Sequence, residues 1–132
     1  MSEAVLDTSV VVRYLVDDDP EKSEVVSELL RSAANGAFLM PNVAVAEMAF
    51  VLLRVYHWPR TATADAIRAV VNHRVIVVPA RETWLEVADD IDRGWGVIDS
   101  YLLRTAQREG IPYVLTFDER MKPIPGVRPV LP

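Results

Sequence analysis

The chain of 132 residues contains no cysteine. Disulfide bonds, thiolate zinc sites and a cysteine nucleophile are therefore excluded, and the absence fits a reducing compartment such as the cytoplasm. Histidine is also scarce, with two residues, so a metal site would have to be built mainly from oxygen ligands. The five glycines match neither a phosphate-binding loop nor a dinucleotide-binding fingerprint.

Long apolar runs are missing as well. None approaches the length needed to span a membrane, and the N-terminus has no charged leader followed by an apolar stretch, so we expect no signal peptide. A length of 132 residues and a hydrophobic content of 51% suit one compact core. We therefore expect a single cytoplasmic domain that covers residues 1–132 and has no membrane partner.

An excess of basic residues is the third absence. The net charge of −5 argues against a nucleic-acid partner, because phosphates favour a basic surface. Four acidic residues, discussed below, change this balance. Without them the remaining 15 acidic residues nearly match the 14 basic ones, and two bound divalent cations would cancel the charge of all four. The acidic composition is therefore weak grounds for excluding a phosphate substrate.

Short apolar runs alternate with helical patterns along the chain. The runs lack the alternation of half-exposed strands and are typical of parallel strands covered on both faces. They comprise residues 4–6, 38–40, 75–78, 113–116 and 127–131. Helices are predicted from an Asp19 cap with Pro20 at the first position, from an Asn42 cap to about residue 56, from Thr61 or Thr63, over 82–93 and over 98–109. This order predicts an α/β fold, a three-layer α/β/α sandwich with a central, mostly parallel sheet.

Four acidic residues occupy related places in this pattern. Asp7 and Asp118 come at or just beyond the end of an apolar run, whereas Glu47 and Asp99 lie where helical patterns begin. The carboxyl ends of parallel strands share one edge of a sheet, and α/β proteins place their sites there. We therefore expect one pocket with four carboxylates, which would repel one another unless protons or cations lie among them.

Each of these acids also has a simpler explanation. Asp7 and Asp99 could cap the helices that follow them, and for Asp7 taken alone this is the more economical interpretation. Asp118 could begin a turn. Glu47 is the most informative, because residues 43–53 are otherwise apolar and a buried, unpaired carboxylate is costly. An exposed Glu47 on an amphipathic helix is the alternative.

A cluster of carboxylates indicates a particular chemistry. Carboxylate oxygens are hard ligands, so Mg²⁺ is the expected cation and Mn²⁺ a possible substitute. One or two ions could be held, and two ions about 4 Å apart could activate water and stabilise the leaving oxygen of a phosphodiester. No serine or cysteine nucleophile would be needed.

Four sequence segments together resemble a known family. They are VLDTSVVV at 5–12, VAE at 45–47, VIDSYLL at 97–103 and LTFD at 115–118, followed by PGV at 125–127. In this order and at these spacings they resemble the PIN-domain ribonucleases, and within that family the VapC-type toxins of toxin–antitoxin systems. The resemblance covers essentially the entire chain.

The resemblance implies a magnesium-dependent endoribonuclease that a small antitoxin holds inactive. Asp7 and Asp99 would be the principal metal ligands, and Glu47 and Asp118 would complete the catalytic pocket through water or a second ion. The supporting shell would consist of Thr8, Ser9 and Thr116. Many relatives carry a further aspartate where this chain has Gly96, which puts a fifth acidic contribution in doubt.

Other classes fit the residues less well. A haloacid-dehalogenase-like phosphatase would need a second aspartate two residues after Asp7, where this chain has Ser9. A receiver-like signalling domain would need a phosphoacceptor aspartate after the third strand, where this chain has Pro79. A non-catalytic binding domain of PIN ancestry is a further alternative, and the four intact acids argue against it.

The resemblance also implies partners, namely RNA, a VapB-like antitoxin and a second copy of the chain. Apolar residues at 11–16 and 48–52 exceed what one sheet face obviously needs. Core packing explains most of them, and the remainder could receive an amphipathic antitoxin helix. Candidate RNA contacts, which surface ion pairs explain equally well, are Arg13, Arg54, Arg60, Arg104, Arg108, Arg120 and Lys122.

Overall fold

All five apolar runs form strands in the computed structural model, which describes residues 1–132. The strands are β1 (Ala4–Val5), β2 (Phe38–Leu39), β3 (Ile76–Val77), β4 (Tyr113–Leu115) and β5 (Arg128–Val130). The helices are α1 (Thr8–Leu15), α2 (Pro20–Ser32), α3 (Asn42–Phe50), α4 (Arg60–Val71), α5 (Arg81–Asp92) and α6 (Val97–Arg108). A π-helical segment, Val51–Val55, continues α3. The α/β class is therefore confirmed.

The strands form two parallel sheets. The first has the order β1-β2-β3, in which Leu39 of the central strand lies between Val5 and Val77. The second pairs β4 with β5, and Val114 lies opposite Pro129. All pairings are parallel, so the carboxyl ends within each sheet point the same way. Asp7 follows β1 and Asp118 follows β4 in the corresponding places.

Three strands are more exposed than the sequence predicts. Val5 in β1 is 64% exposed, Val77 in β3 is 43% exposed and Leu115 in β4 is 68% exposed. Each of these strands has a hydrogen-bonded neighbour on one side only, so they are edge strands. The expectation that every strand is covered on both faces is wrong for these three, because apolar composition alone does not distinguish an edge strand from a central one.

The buried side chains form two separate clusters. The larger contains 27 residues and includes Trp84, Met48 and Leu52, none of which is exposed by more than 1%. The smaller lies between α6 and the chain beyond it, and contains Leu103, Ala106, Met121, Ile124 and Val127. None of the helices is both long and apolar enough to cross a membrane.

Core packing accounts for most of the apolar excess noted after the first two acids. Val11, Val12, Val16, Met48 and Leu52 are all buried in the larger cluster. Only Tyr14 and Phe50 of these stretches are exposed. The apolar surface left for a partner is therefore small in this part of the chain.

The helix starts agree with the sequence at Asp19 and differ at Asn42. Asp19 caps α2, where its Oδ1 accepts a hydrogen bond from the Lys22 amide at 3.2 Å. Asn42 is not a cap: α3 begins at Asn42 itself. Its side-chain oxygen accepts hydrogen bonds from the Ala80 amide at 3.0 Å and the Trp84 Nε1 at 3.2 Å. The buried indole needs an acceptor, and this need outweighs the capping preference of asparagine.

The helix after Asn42 changes its winding before its end. Regular α-helix stops at Phe50, and the Tyr56 amide donates to the Val51 carbonyl at 3.1 Å, which is the longer spacing of a π-helix. The next helix, α4, begins at Arg60, directly after Pro59 and before the predicted threonines. The π-helical turns thus carry the chain from α3 toward α4 and place Leu53 and Arg54 beside the cavity described next.

Candidate active site

Asp99 and Asp118 line one cavity of about 590 Å³. Its walls come from the end of α3, the π-helical segment, the loop before α6, the first turns of α6 and residues 118–122. The cavity therefore lies where α6 begins and where the chain leaves β4. Two of the four predicted acids are brought together here.

Asp99 occupies the first turn of α6, three residues after Gly96. Burial raises the pKa of its carboxyl, the neighbouring charge of Asp118 raises it further, and Arg120 opposes both effects. The N-cap is Gly96 and Asp99 lies inside the helix, so the capping explanation of Asp99 is wrong. A Cβ at Gly96 would lie 3.7 Å from Asp99 Oδ2, which is an ordinary contact distance.

Asp118 begins a tight turn, as its alternative interpretation predicted. Its Oδ1 accepts hydrogen bonds from the Arg120 amide at 2.9 Å and from Arg120 Nε at 3.2 Å. These contacts hold the pKa of Asp118 below its ordinary value. The Asp118 amide in turn donates to Thr116 Oγ1 at 2.9 Å. The threonine hydroxyl therefore supports the turn that Asp118 begins.

Asp7 caps α1. Its Oδ2 accepts hydrogen bonds from the Ser9 hydroxyl at 2.5 Å and the Ser9 amide at 3.0 Å, and these contacts lower the pKa of Asp7. The Thr8 hydroxyl donates to the Ala44 carbonyl at 3.1 Å and ties the start of α1 to α3. The carboxylate is exposed and does not line the cavity.

Glu47 is exposed on the surface of α3 and also lies outside the cavity lining. The buried side of α3 carries Ala44, Val45, Met48 and Ala49. The expectation of a buried carboxylate is wrong, because Glu47 faces solvent as in the alternative interpretation. The helix is nevertheless not amphipathic, since apolar Val43 and Phe50 are exposed as well.

The carboxylates that line the cavity suit a divalent cation that takes only one or two of its ligands from the protein. No group of three or more acidic or histidine side chains is close enough together to hold a metal ion by itself. Mg²⁺, however, is usually bound by one or two carboxylates, with water and substrate phosphate as the other ligands. Asp99 and Asp118 supply two hard ligands in one cavity, so their chemistry fits this ion.

Basic residues surround the two acids. The cavity lining contains five of them: Arg54, Arg60, Arg93, Arg120 and Lys122. Arg60 Nη1 donates to the Trp95 carbonyl at 2.9 Å, and the Arg54 guanidinium lies 5.8 Å from the centre of the Phe50 ring. The cavity is therefore a locally positive region of an acidic protein.

The other predicted RNA contacts are engaged in ion pairs away from the cavity. Arg13 pairs with Asp18 at 2.6 Å, and Arg108 pairs with Glu86 at 2.6 Å. Arg104 is 12% exposed. Because its guanidinium is turned into the protein, Arg104 does not present its charge to a ligand.

Two features in and beside the site are not evident from sequence motifs. Arg93 and Trp95 line the cavity, although they belong to a short loop without a recognisable motif. The partner of Arg104 is Asp90, a fully buried carboxylate on α5. Its one signal in the sequence is its position among Val87, Ala88 and Ile91, the apolar face of that helix.

Comparison with known protein families agrees with this architecture. The PIN domain family matches residues 4–127, which is nearly the whole chain. The chain therefore belongs to the PIN-domain family, and its fold is nuclease-like. A search of curated proteins found no match to it.

Proposed function

We propose that this protein is a magnesium-dependent endoribonuclease and the toxin of a toxin–antitoxin module. The observation that carries the proposal is the cavity in which Asp99 and Asp118 lie among five basic side chains, in a chain of the PIN family. Acidic ligands for a cation next to basic groups for phosphates are what hydrolysis of a phosphodiester requires.

The four acids would have different roles in binding the cation. A bound divalent ion would supply Lewis-acid activation of water and of the phosphate. Asp99 and Asp118 would hold it directly. Asp7 and Glu47 would complete the site through water or a second ion. Burial and the charge of Asp118 raise the pKa of Asp99, and a bound cation would oppose both effects by favouring the ionised form.

The basic residues of the cavity would bind the RNA backbone. Arg54, Arg60 and Lys122 form no ion pair with an acidic side chain, so their charges are available for phosphate oxygens. Trp95 lies in the same wall and offers a face on which a base could stack. Phosphate contacts of this kind position a strand without reading its sequence.

The nuclease proposal is tested with two substitutions at Asp7. Asp7→Asn keeps an oxygen that can accept from Ser9, so the helix cap and the melting temperature should be retained while the charge is lost. Asp7→Ala removes the cap as well and should melt earlier. We expect Mg²⁺-dependent cleavage of a labelled single-stranded RNA by the parent, inhibition by EDTA, and no cleavage by either variant.

Asp65→Asn is the matched control for these two variants, because Asp65 is an exposed aspartate of α4 that pairs only with Arg68. It should cleave as the parent does. Cleavage by Asp7→Asn at the parental rate would exclude a role of Asp7 in the reaction, and parental cleavage that persists in EDTA would exclude the metal-dependent mechanism.

The toxin proposal needs a test in cells. Exposed Phe50 adjoins the cavity, so an antitoxin helix could place an apolar side chain there and a basic side chain on the acids. Expression of the chain alone should arrest growth, and co-expression with the product of the neighbouring gene should restore growth and yield a stable complex. A harmless, monomeric chain that binds no such product would refute the toxin role and leave the nuclease activity to be judged separately.

A non-catalytic PIN-derived binding domain is the second candidate. The observation that favours it is that Asp7 and Glu47 lie outside the cavity lining, so the acids do not form one cluster. A binding domain of this kind would bind RNA through the basic residues of the cavity with equal affinity in Mg²⁺ and in EDTA, and it would not cleave the RNA. Binding and cleavage measured on the same RNA distinguish the two candidates.

A further inference from the structure

Asp90 is the only carboxylate of the chain that is completely removed from solvent, and the proposed reaction does not use it. Its Oδ2 accepts hydrogen bonds from the Ser100 hydroxyl at 2.6 Å and from Arg104 Nε at 2.8 Å. Its Oδ1 accepts from Arg104 Nη2 at 2.8 Å. Its Oδ1 also accepts from Arg93 Nη1 at 3.1 Å, at the end of α5 itself. Asp90 belongs to α5, whereas Ser100 and Arg104 belong to α6, so three charge-assisted hydrogen bonds fasten one helix to the other.

These hydrogen bonds attach α5 to the first turn of α6, which carries Asp99. Ser100 is the next residue, and its amide donates to the Gly96 carbonyl at 3.0 Å. The backbone of Asp90 holds the preceding loop as well, because its carbonyl accepts from the Trp95 amide at 3.0 Å. Side chain and main chain of one residue therefore fix both the loop before α6 and its first turn.

We propose that Asp90 is a positioning residue, which sets the place of the Asp99 carboxylate in the cavity through Ser100 and Arg104. The consequence for catalysis rests on the proposed nuclease function, whereas the positioning itself does not. A buried ion pair is often no more stabilising than apolar residues of the same volume, because both ions lose their hydration. Directional hydrogen bonds, unlike apolar packing, fix the rotation of a helix and its position along its axis relative to its neighbour.

The mildest test removes one hydrogen bond. Ser100→Ala deletes the hydroxyl that reaches Asp90 and leaves the pair with Arg104 in place. We expect faster amide hydrogen exchange confined to residues 100–103, the first amides of α6 that are hydrogen-bonded within the helix. We also expect a kcat for RNA cleavage lowered roughly 10- to 100-fold and an unchanged KM. Ser27→Ala, in the exposed part of α2, is the control and should change neither quantity.

These results separate the inference from the function on which it builds. Unchanged exchange in residues 100–103, or a kcat equal to that of Ser27→Ala, would overturn the positioning role. If the parent itself cleaves no RNA, the proposed nuclease function fails, and the exchange measurement alone decides whether Asp90 positions the turn.

A double substitution distinguishes positioning from plain stabilisation. Asp90→Leu combined with Arg104→Leu removes both ions and keeps an apolar contact between the helices, so the melting temperature should equal or exceed that of the parent. Ser100 then has no acceptor, and we expect kcat to remain low at an unchanged KM. Recovery of the parental kcat by this stable variant would overturn the inference.

Discussion

Asp99 and Asp118 line the same cavity, yet the pKa values of their carboxyl groups are displaced in opposite directions. Burial and the charge of Asp118 raise the pKa of Asp99, whereas Arg120 lowers that of Asp118 by hydrogen bonds to its carboxylate. Two acids whose environments separate their pKa values are suited to different roles. Asp118 therefore remains ionised to a lower pH than Asp99.

Arg120→Ala tests the cause of this separation. Without the guanidinium, the pKa of Asp118 should return toward its ordinary value of about 3.9, and the pKa of Asp99 should rise further because Arg120 also lowers it. The measurement is a carboxyl NMR titration of the metal-free protein. Arg31→Ala, which removes an arginine paired with Glu28 on α2, should leave both values unchanged. An unshifted Asp118 would refute the assigned cause.

Asp99→Asn should stabilise the metal-free protein at neutral pH. A carboxyl whose pKa is raised by folding costs stability while it is ionised, and the cost disappears as the pH falls below the unfolded value of about 3.9. The variant should therefore melt higher than the parent at neutral pH and equally at about pH 3. Added Mg²⁺ should raise the melting temperature of the parent alone. A variant that melts lower than the parent at neutral pH would contradict the burial of Asp99.

Arg104→Gln should be strongly destabilising, because it leaves the buried Asp90 carboxylate without its main partner. We expect the free energy of unfolding to fall by about 3–5 kcal/mol in urea titrations. Arg31→Gln breaks an exposed pair with Glu28 and should cost less than about 1 kcal/mol. Equal costs for the two substitutions would show that Asp90 is solvated.

The same pair predicts a pH dependence of stability. Burial opposes ionisation of Asp90, but hydrogen bonds from Arg104 and Ser100 outweigh it and keep its pKa below the ordinary value. A lowered pKa contributes stability above about pH 3.9 that is lost as the pH falls through the folded value. The difference in unfolding free energy between parent and Arg104→Gln should therefore shrink in acid.

Trp84→Ala should open a cavity in the larger core cluster. The indole is 1% exposed, and we expect a loss of about 3–5 kcal/mol in the free energy of unfolding. Phe117→Ala is the matched aromatic control, because Phe117 is 81% exposed and should cost within about 0.5 kcal/mol. A large loss at Phe117 would mean that this ring is covered in solution.

Helices and strands are predicted well from the sequence, because apolar periodicity and the turn residues that end each segment are local signals. Each apolar run forms a strand, and α6 lies within one residue of its predicted bounds. Asn42 was misassigned because its true partners, Ala80 and Trp84, are distant in sequence. The capping preference of asparagine can be read from the local sequence. The need of the Trp84 indole for a hydrogen-bond acceptor, which outweighs that preference, cannot.

The site was predictable in part for the same reason. Strand ends and helix starts located Asp99 and Asp118, which line one cavity. Glu47 was misjudged because apolar neighbours in sequence do not reveal which side of a helix is packed. Asp90 was missed because a buried acid is recognisable only beside its partner, and Arg104 lies on another helix.

The division of the buried side chains into two clusters affects how long the site stays assembled. Asp118 follows β4, whose packing depends on the cluster of five residues, whereas α1 and α3 belong to the cluster of 27. Units with few buried contacts open more often than the whole molecule unfolds. The segment from β4 to β5 should therefore detach transiently while the larger core remains folded. The lifetime of the cavity that Asp99 and Asp118 share is then set by the weaker of the two clusters.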